Sequence, residues 1–188
     1  MSRAAQPRAA AAPSLYRRVL GQAFERLPPA VRGLHDNSGR ITASGPCRVE
    51  RGGHPLARLI AGCFGFPPAG EGALRVTIEA CDGHEEWRRD FGSHRTTSRQ
   101  GEVPGRPGLI FERFGPGNFL IDPRPGPAGL SFALKGARLF GCPLPRFLWP
   151  AIVGEATAPD GRYHFNVSVA LPLVGLLVRY RGSLTPEG

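Results

Sequence analysis

Lysine is almost missing from this chain. Of 24 basic residues all but Lys135 are arginine, and only 15 acidic residues oppose them. Cys-x-x-Cys pairs are missing too, since Cys47, Cys63, Cys81 and Cys142 stand far apart. That spacing excludes zinc ribbons and thioredoxin-like redox motifs, and it reads as reduced thiols of a cytoplasmic protein. Long apolar runs are lacking. The most apolar stretch, VALPLVGLLV (169–178), contains Pro172 and Gly175 and is half the length a bilayer-spanning helix needs, about 20 residues. The opening MSRAAQPRAAAAP has no apolar core of a signal peptide, so residues 1–13 are expected to be a flexible tail. Nor is there a nucleophile elbow, a Walker loop, a Gly-x-Gly-x-x-Gly turn or a His-Glu-x-x-His helix.

Turn formers are abundant: 26 glycines and 20 prolines in 188 residues favour many short elements. With 41% apolar and 21% charged residues the chain should fold, as one domain over 14–185. The net charge of +9 is uneven. Residues 1–60 carry ten arginines against three acids, a net +7, and residues 61–188 carry fourteen basic residues against twelve acids, a net +2. A basic N-terminal face could touch nucleic acid or anionic lipid, but it reads first as a solvated surface. Nucleic acid is not the expected partner, because aromatic and basic residues share a strand face only around Trp87.

The spacing predicts a helix over 14–26, with Ser14 as N-cap and Pro28-Pro29 as its stop. Shorter helices are expected at 29–35 and 54–64. A first strand is expected at 40–50, with a bulge or bend at Gly45-Pro46. After residue 70 the apolar period becomes two, with Leu74, Val76 and Ile78 on one face. Asp82-Gly83 then signals a hairpin, as do FGPGN (114–118) and Asp160-Gly161 further on. The strands expected beyond 84–91 are 94–99, 109–114, 117–122, 129–139, 151–158, 162–171 and 176–184. The fold class is therefore α+β. Two or three N-terminal helices pack on eight or nine mostly antiparallel strands, strongly curved, helix-grip-like or closed as a partial barrel.

The densest polar stretch is CDGHEEWRRDFG (81–92). His84 and Glu86 project to one side of a strand, but Asp82 belongs to a turn and no second ligand pair is near in sequence, so no metal site is expected. Trp87, Arg89 and Phe91 share the other side. If that side faces inward, Arg89 needs a partner, since burying an unpaired charge costs several kcal/mol. Glu112, between Ile110 and Phe114 by the same alternation, would supply it. Three readings stay open: an Arg89–Glu112 pair that orients a ligand, a purely structural buried pair, or an outward face with Arg89 stacked on rings. The histidines carry no forced pairing. His35 ends a helix beside Asp36 and Asn37, His54 precedes one, and His94 and His164 lie on strands. Arg179 and Arg181, alternating with Val178 and Tyr180, read as a solvated stripe.

Six segments in order, LYRRVLGQAFERLPPAVRGLH, HPLARLIAGCFGFPPAGE, WRRDFG, FERFGPGNF, GCPLPRFLWP and LPLVGLLVRYRG, resemble the bacterial family called domain of unknown function 4166. The resemblance runs from Leu15 to Leu184 and implies a single cytoplasmic domain. It carries over no catalytic residue. In that family the domain stands alone or is attached to saccharopine-dehydrogenase-like oxidoreductase domains, which implies a separate oxidoreductase partner here.

The function expected is non-catalytic binding of a small, largely apolar molecule, with no cofactor, in a pocket lined by Trp87, Arg89, Phe91, Glu112 and Phe114. One rival is an enzyme with Glu112 or a histidine as acid/base in the same cavity. Another is an interaction module docking through helix 14–26 or through GCPLPRFLWP (141–150), which would show an exposed apolar patch.

Overall fold

The period-two stretches become strands, and the turn signals become the connections between them. The structure is a computed structural model that describes residues 13–187. The tail expected over 1–13 lies, apart from Pro13, outside the described residues. In chain order the strands are β1 (Arg40–Arg51), β2 (Gly70–Cys81), β3 (His84–Asp90), β4 (Arg95–Glu102), β5 (Ile110–Phe114), β6 (Gly117–Gly126), β7 (Gly129–Leu139), β8 (Cys142–Pro143), β9 (Ala151–Thr157), β10 (Tyr163–Leu171) and β11 (Gly175–Pro186). Every pairing is antiparallel.

The sheet order runs β6-β5-β4-β3-β2-β1-β11-β10-β9-β7, and β6 also pairs with β7. That last pairing closes the ring, so the sheet is a ten-stranded barrel, with the two-residue β8 appended to β7. Closure removes the sheet edges that would otherwise invite aggregation. The inward faces are those the alternation gave: Leu74, Val76 and Ile78 on β2 are fully buried, and Ile110 on β5 is too. The outward faces carry ion pairs such as Arg88–Glu86 and Arg48–Glu71. This is the reverse of the apolar-out pattern of membrane-spanning barrels. Among the described residues no helix is long and apolar enough to cross a membrane.

Strand direction assigns each connection to one end. At one end sit α1 (Leu15–Leu20), a 3-10 segment (Gly21–Arg26) and α2 (Pro29–His35), which lead into β1. Leu15, Tyr16, Phe24, Leu27, Val31 and Leu34 are all buried, so these helices plug that end with apolar bulk. The single helix expected over 14–26 is corrected: α1 stops at Leu20 because Gly21 takes φ 54, outside the α-helical region. Ser14 does cap it, its Oγ accepting from the Arg17 N–H at 3.4 Å. At the other end α3 (Pro55–Cys63) joins β1 to β2, capped by His54, whose Nδ1 accepts from the Leu56 N–H at 3.1 Å.

The bulge or bend expected at Gly45-Pro46 leaves β1 unbroken over Arg40–Arg51, with no register shift against β2. The strand continues, and only its pairing with β11 skips from Ser44↔Thr185 to Cys47↔Gly182. There the two backbones nearly touch. A Cβ on Gly182 would lie 2.0 Å from the Pro46 carbonyl oxygen, and one on Gly45 would lie 2.1 Å from that of Ser183. Gly182→Ala must therefore push backbone apart. It is expected to cost about 3 kcal/mol, read as a lower urea midpoint with an unchanged slope.

Candidate functional site

β3, β4 and β5 are consecutive neighbours in the barrel wall, so their inward residues form one polar patch on an otherwise apolar interior. β3 contributes Glu85, Trp87 and Arg89, β4 contributes Thr96, Ser98 and Gln100, and β5 contributes Glu112. The Arg89 side chain is 13% exposed and that of Glu112 21%. Among the described residues the Arg89 guanidinium makes one hydrogen bond, Nη1 donating to Ser98 Oγ at 2.9 Å. Its Nη2 lies 3.8 Å from Glu112 Oε1, an ionic contact too long for a hydrogen bond. The guanidinium also stacks over the Trp87 ring, 5.3 Å from its centre. The face is thus inward, and the cation–π contact exists there rather than outside.

This patch is the waist of the barrel interior. Above it, towards α3, lies a cavity of about 400 Å³. Phe91, Phe114, Phe119, Ile152 and Val169 line its wall, and Leu59 and Phe64 of the α3 segment close over it. Polar groups reach it mainly at the floor, from Arg89, Glu112, Thr96 and Tyr180. Below the waist lies a smaller chamber of about 120 Å³, roofed by the same Arg89 and Glu112 and floored by Tyr16, Leu34 and His35 of the plug. Of the five residues singled out from sequence, Arg89 and Glu112 face both chambers. Phe91 and Phe114 line the upper one and Trp87 the lower. A wider outer-wall depression of about 860 Å³ is open to solvent, and its Arg179 and Arg181 are paired with Glu50 at 3.6 and 3.2 Å.

In and around the lower chamber are buried polar groups that the sequence alone does not single out. His35 is no surface terminus. It is 2% exposed, packed 4.3 Å from the Tyr16 ring and 5.6 Å from the Trp87 ring, and neither ring nitrogen has a hydrogen-bond partner among the described residues. Burial drives its pKa down to about 3, so the imidazole is neutral. Asn37 is buried as well, its Nδ2 donating to the Ile78 carbonyl at 3.0 Å. Tyr16 donates its phenol hydrogen to Gln100 Oε1 at 2.8 Å. Burial raises the pKa of Tyr16, Tyr163 and Tyr180, keeping all three phenols protonated. Glu85, on the Trp87 side of β3, is 2% exposed and accepts from the Trp87 indole N–H at 3.1 Å, while its Oε1 has no partner among the described residues. Burial lifts its carboxyl to about 7, against the opposing pull of that indole and of Arg18. His35 had a sequence signal, lying one turn after Val31 on the buried side of α2. Glu85 had one too, sharing parity with Trp87 and Arg89.

Residues 27–184 match the family described as domain of unknown function (DUF4166). The chain belongs to that family. The match spans the second plug helix and all but the end of β11, so the waist and both chambers lie inside the DUF4166 domain apart from Tyr16. Comparison with curated proteins and with solved structures gave no match. For this DUF4166 chain the chemistry therefore has to be argued from the cavity. Among the described residues no group of three or more His, Cys, Asp or Glu side chains converges as a metal site. The four cysteines are unbridged, and only Cys47 is buried.

Proposed function

We propose that the barrel binds an elongated, largely apolar molecule carrying one neutral hydrogen-bonding end, such as a hydroxyl or a carbonyl. The observation that carries this reading is the cavity of about 400 Å³, apolar on its walls, with an under-coordinated Arg89–Glu112 pair at its floor. Its volume is in the range of small-molecule sites, about 300–1,000 Å³. Arg89 and Glu112 offset each other's charge, so the floor favours a neutral polar group over an anion. A hydroxyl placed between them would accept from Arg89 and donate to Glu112, bridging a 3.8 Å gap that the two side chains leave open. Delivery of the molecule to a separate oxidoreductase belongs to the same proposal.

The enzyme reading draws on His35, an imidazole lining the lower chamber with no hydrogen-bond partner among the described residues. A general base works best with a pKa near the operating pH, and about 3 is far from it. That favours His35 as a hydrogen-bonding contact. The reading is tested by native mass spectrometry of the purified protein, followed by titration with a long-chain fatty alcohol. Arg89→Met keeps the apolar stem and removes the donors, and it is expected to weaken alcohol binding about tenfold, the value of one charge-assisted hydrogen bond. Equal binding by Arg89→Met and the parent protein would overturn it.

A further inference from the structure

The described residues with large exposed apolar side chains are Leu56, Leu59, Phe140, Phe147, Leu148, Val153 and Leu173. All but Val153 fall in three connections, 52–69, 140–150 and 172–174. Strand direction brings these connections to one end of the barrel, the mouth above the larger cavity. The plug end has none of them. Single exposed apolar residues are ordinary, but their concentration at one end is not.

Two of them are held there against backbone preference. Phe140 (φ 50) and Leu173 (φ 64) are the described non-glycine residues in the left-handed region. Glycine or asparagine suits such turn positions, and bulky side chains do not. Yet Phe140 is 80% exposed and Leu173 fully so. Strain at a turn tip that presents an apolar side chain to solvent marks a functional surface.

The charge of the mouth is one-sided. Its connections, 52–69, 91–94, 115–116, 140–150 and 172–174, contain no aspartate or glutamate. They carry Arg58 and Arg146, and neither has an ion-pair partner among the described residues. Arg146 lies over the Trp149 ring at 5.5 Å, and Trp149 has an apolar body with its indole N–H donating to the Leu144 carbonyl at 2.8 Å. Apolar tips, arginines and an amphipathic tryptophan together match the boundary layer of an anionic bilayer. Leu59 and Phe140 both line the cavity and stand exposed, so the cavity opens within this surface.

We propose that the mouth of the barrel seats on an anionic lipid bilayer, the phase from which the apolar ligand enters and leaves. The last clause rests on the ligand-binding reading above; the docking itself does not. Leu173 and Phe147 enter the headgroup layer while Arg58 and Arg146 meet lipid phosphates. The apolar molecule then passes to the cavity without crossing water.

The test is flotation of the full chain with vesicles of equal parts phosphatidylglycerol and phosphatidylcholine, with pure phosphatidylcholine as control. Phe147→Ser combined with Leu173→Asn removes two tips that do not line the cavity, and asparagine suits the turn at 173. The parent protein is expected to float with the anionic vesicles, less so at high salt. The double variant should float at least tenfold less while binding the fatty alcohol unchanged. Arg89→Met should float as the parent does and bind the alcohol about tenfold more weakly, which separates the two proposals. A parent protein that stays with the soluble fraction overturns docking. So does a double variant that floats equally well, or a parent that self-associates through this patch and loses its dimer in the double variant.

Discussion

Glu85→Gln is expected to make the protein acid-sensitive, losing about 2–3 kcal/mol of stability between pH 7 and 4.5, where the parent stays nearly level. Two buried groups titrate in that window with opposite signs. The His35 pKa falls from 6.5 to about 3 on folding. Below pH 6.5 the unfolded chain takes up a proton that the folded chain refuses, so stability falls as pH drops, by about 1.4 kcal/mol per unit. The Glu85 pKa rises from 4.5 to about 7. Below pH 7 the folded chain takes up a proton that the unfolded chain does not yet hold, so stability rises as pH drops towards 4.5. In the parent the two slopes nearly cancel. Glutamine cannot titrate, yet its carbonyl oxygen can still accept from the Trp87 indole. Only the His35 slope then remains. Urea titrations at both pH values read the difference directly, and a level Glu85→Gln profile would mean that His35 is hydrated and titrates normally.

His35→Leu is the mirror experiment. Its stability should rise by about 2–3 kcal/mol on going from pH 7 to 4.5, since only the Glu85 slope is left. At pH 7 the variant should also exceed the parent, by about 1–3 kcal/mol, because two buried nitrogens without partners among the described residues are exchanged for apolar packing against Tyr16 and Trp87. A residue whose removal stabilises the fold is one kept for another reason. A hydrogen bond to a ligand in the lower chamber is the reason that fits its position, so His35→Leu should combine higher stability with weaker fatty alcohol binding. The carboxylates held below their ordinary range, Asp36 beside Arg17, Asp90 beside Arg95 and Asp160 beside Arg162, are a third exposed or more and release their contributions below this window.

The strands and the inward face of β3 could be read from residues because both follow from a period of two. The same alternation that places Trp87 and Arg89 inside places Glu112 inside on a strand one removed, and the two side chains meet at 3.8 Å. Hairpin turns were legible for a similar reason: Asp82-Gly83 needs only its neighbours. Non-local facts were not legible. Nothing in 40–51 or 175–186 announces that β1 and β11 pair, so a partial barrel was as readable as a closed one with ten strands. His35 was mistaken for a polar helix end because Asp36 and Asn37 follow it, and only the tertiary plug shows which side of α2 is covered. The segment 141–150 reads from sequence as a candidate docking surface. That it shares an end with Leu59 and Leu173 depends on which way each strand runs.

The pairing of β1 with β11 has a kinetic consequence. All other neighbours in the ring except β7 and β9 are consecutive along the chain, and even those two are separated only by β8. Hairpins of that kind assemble in microseconds from local contacts. The seam instead joins Ala43 to Pro186, about three quarters of the chain apart. Such a long-range contact closes late, because loop-closure entropy must be met before the seam's own bonds form. Until it closes, β1 and β11 each present an unpaired edge, and a second open molecule can supply the missing neighbour. Refolding at high protein concentration should therefore yield dimers exchanged across this seam. Slow dilution should yield closed monomers.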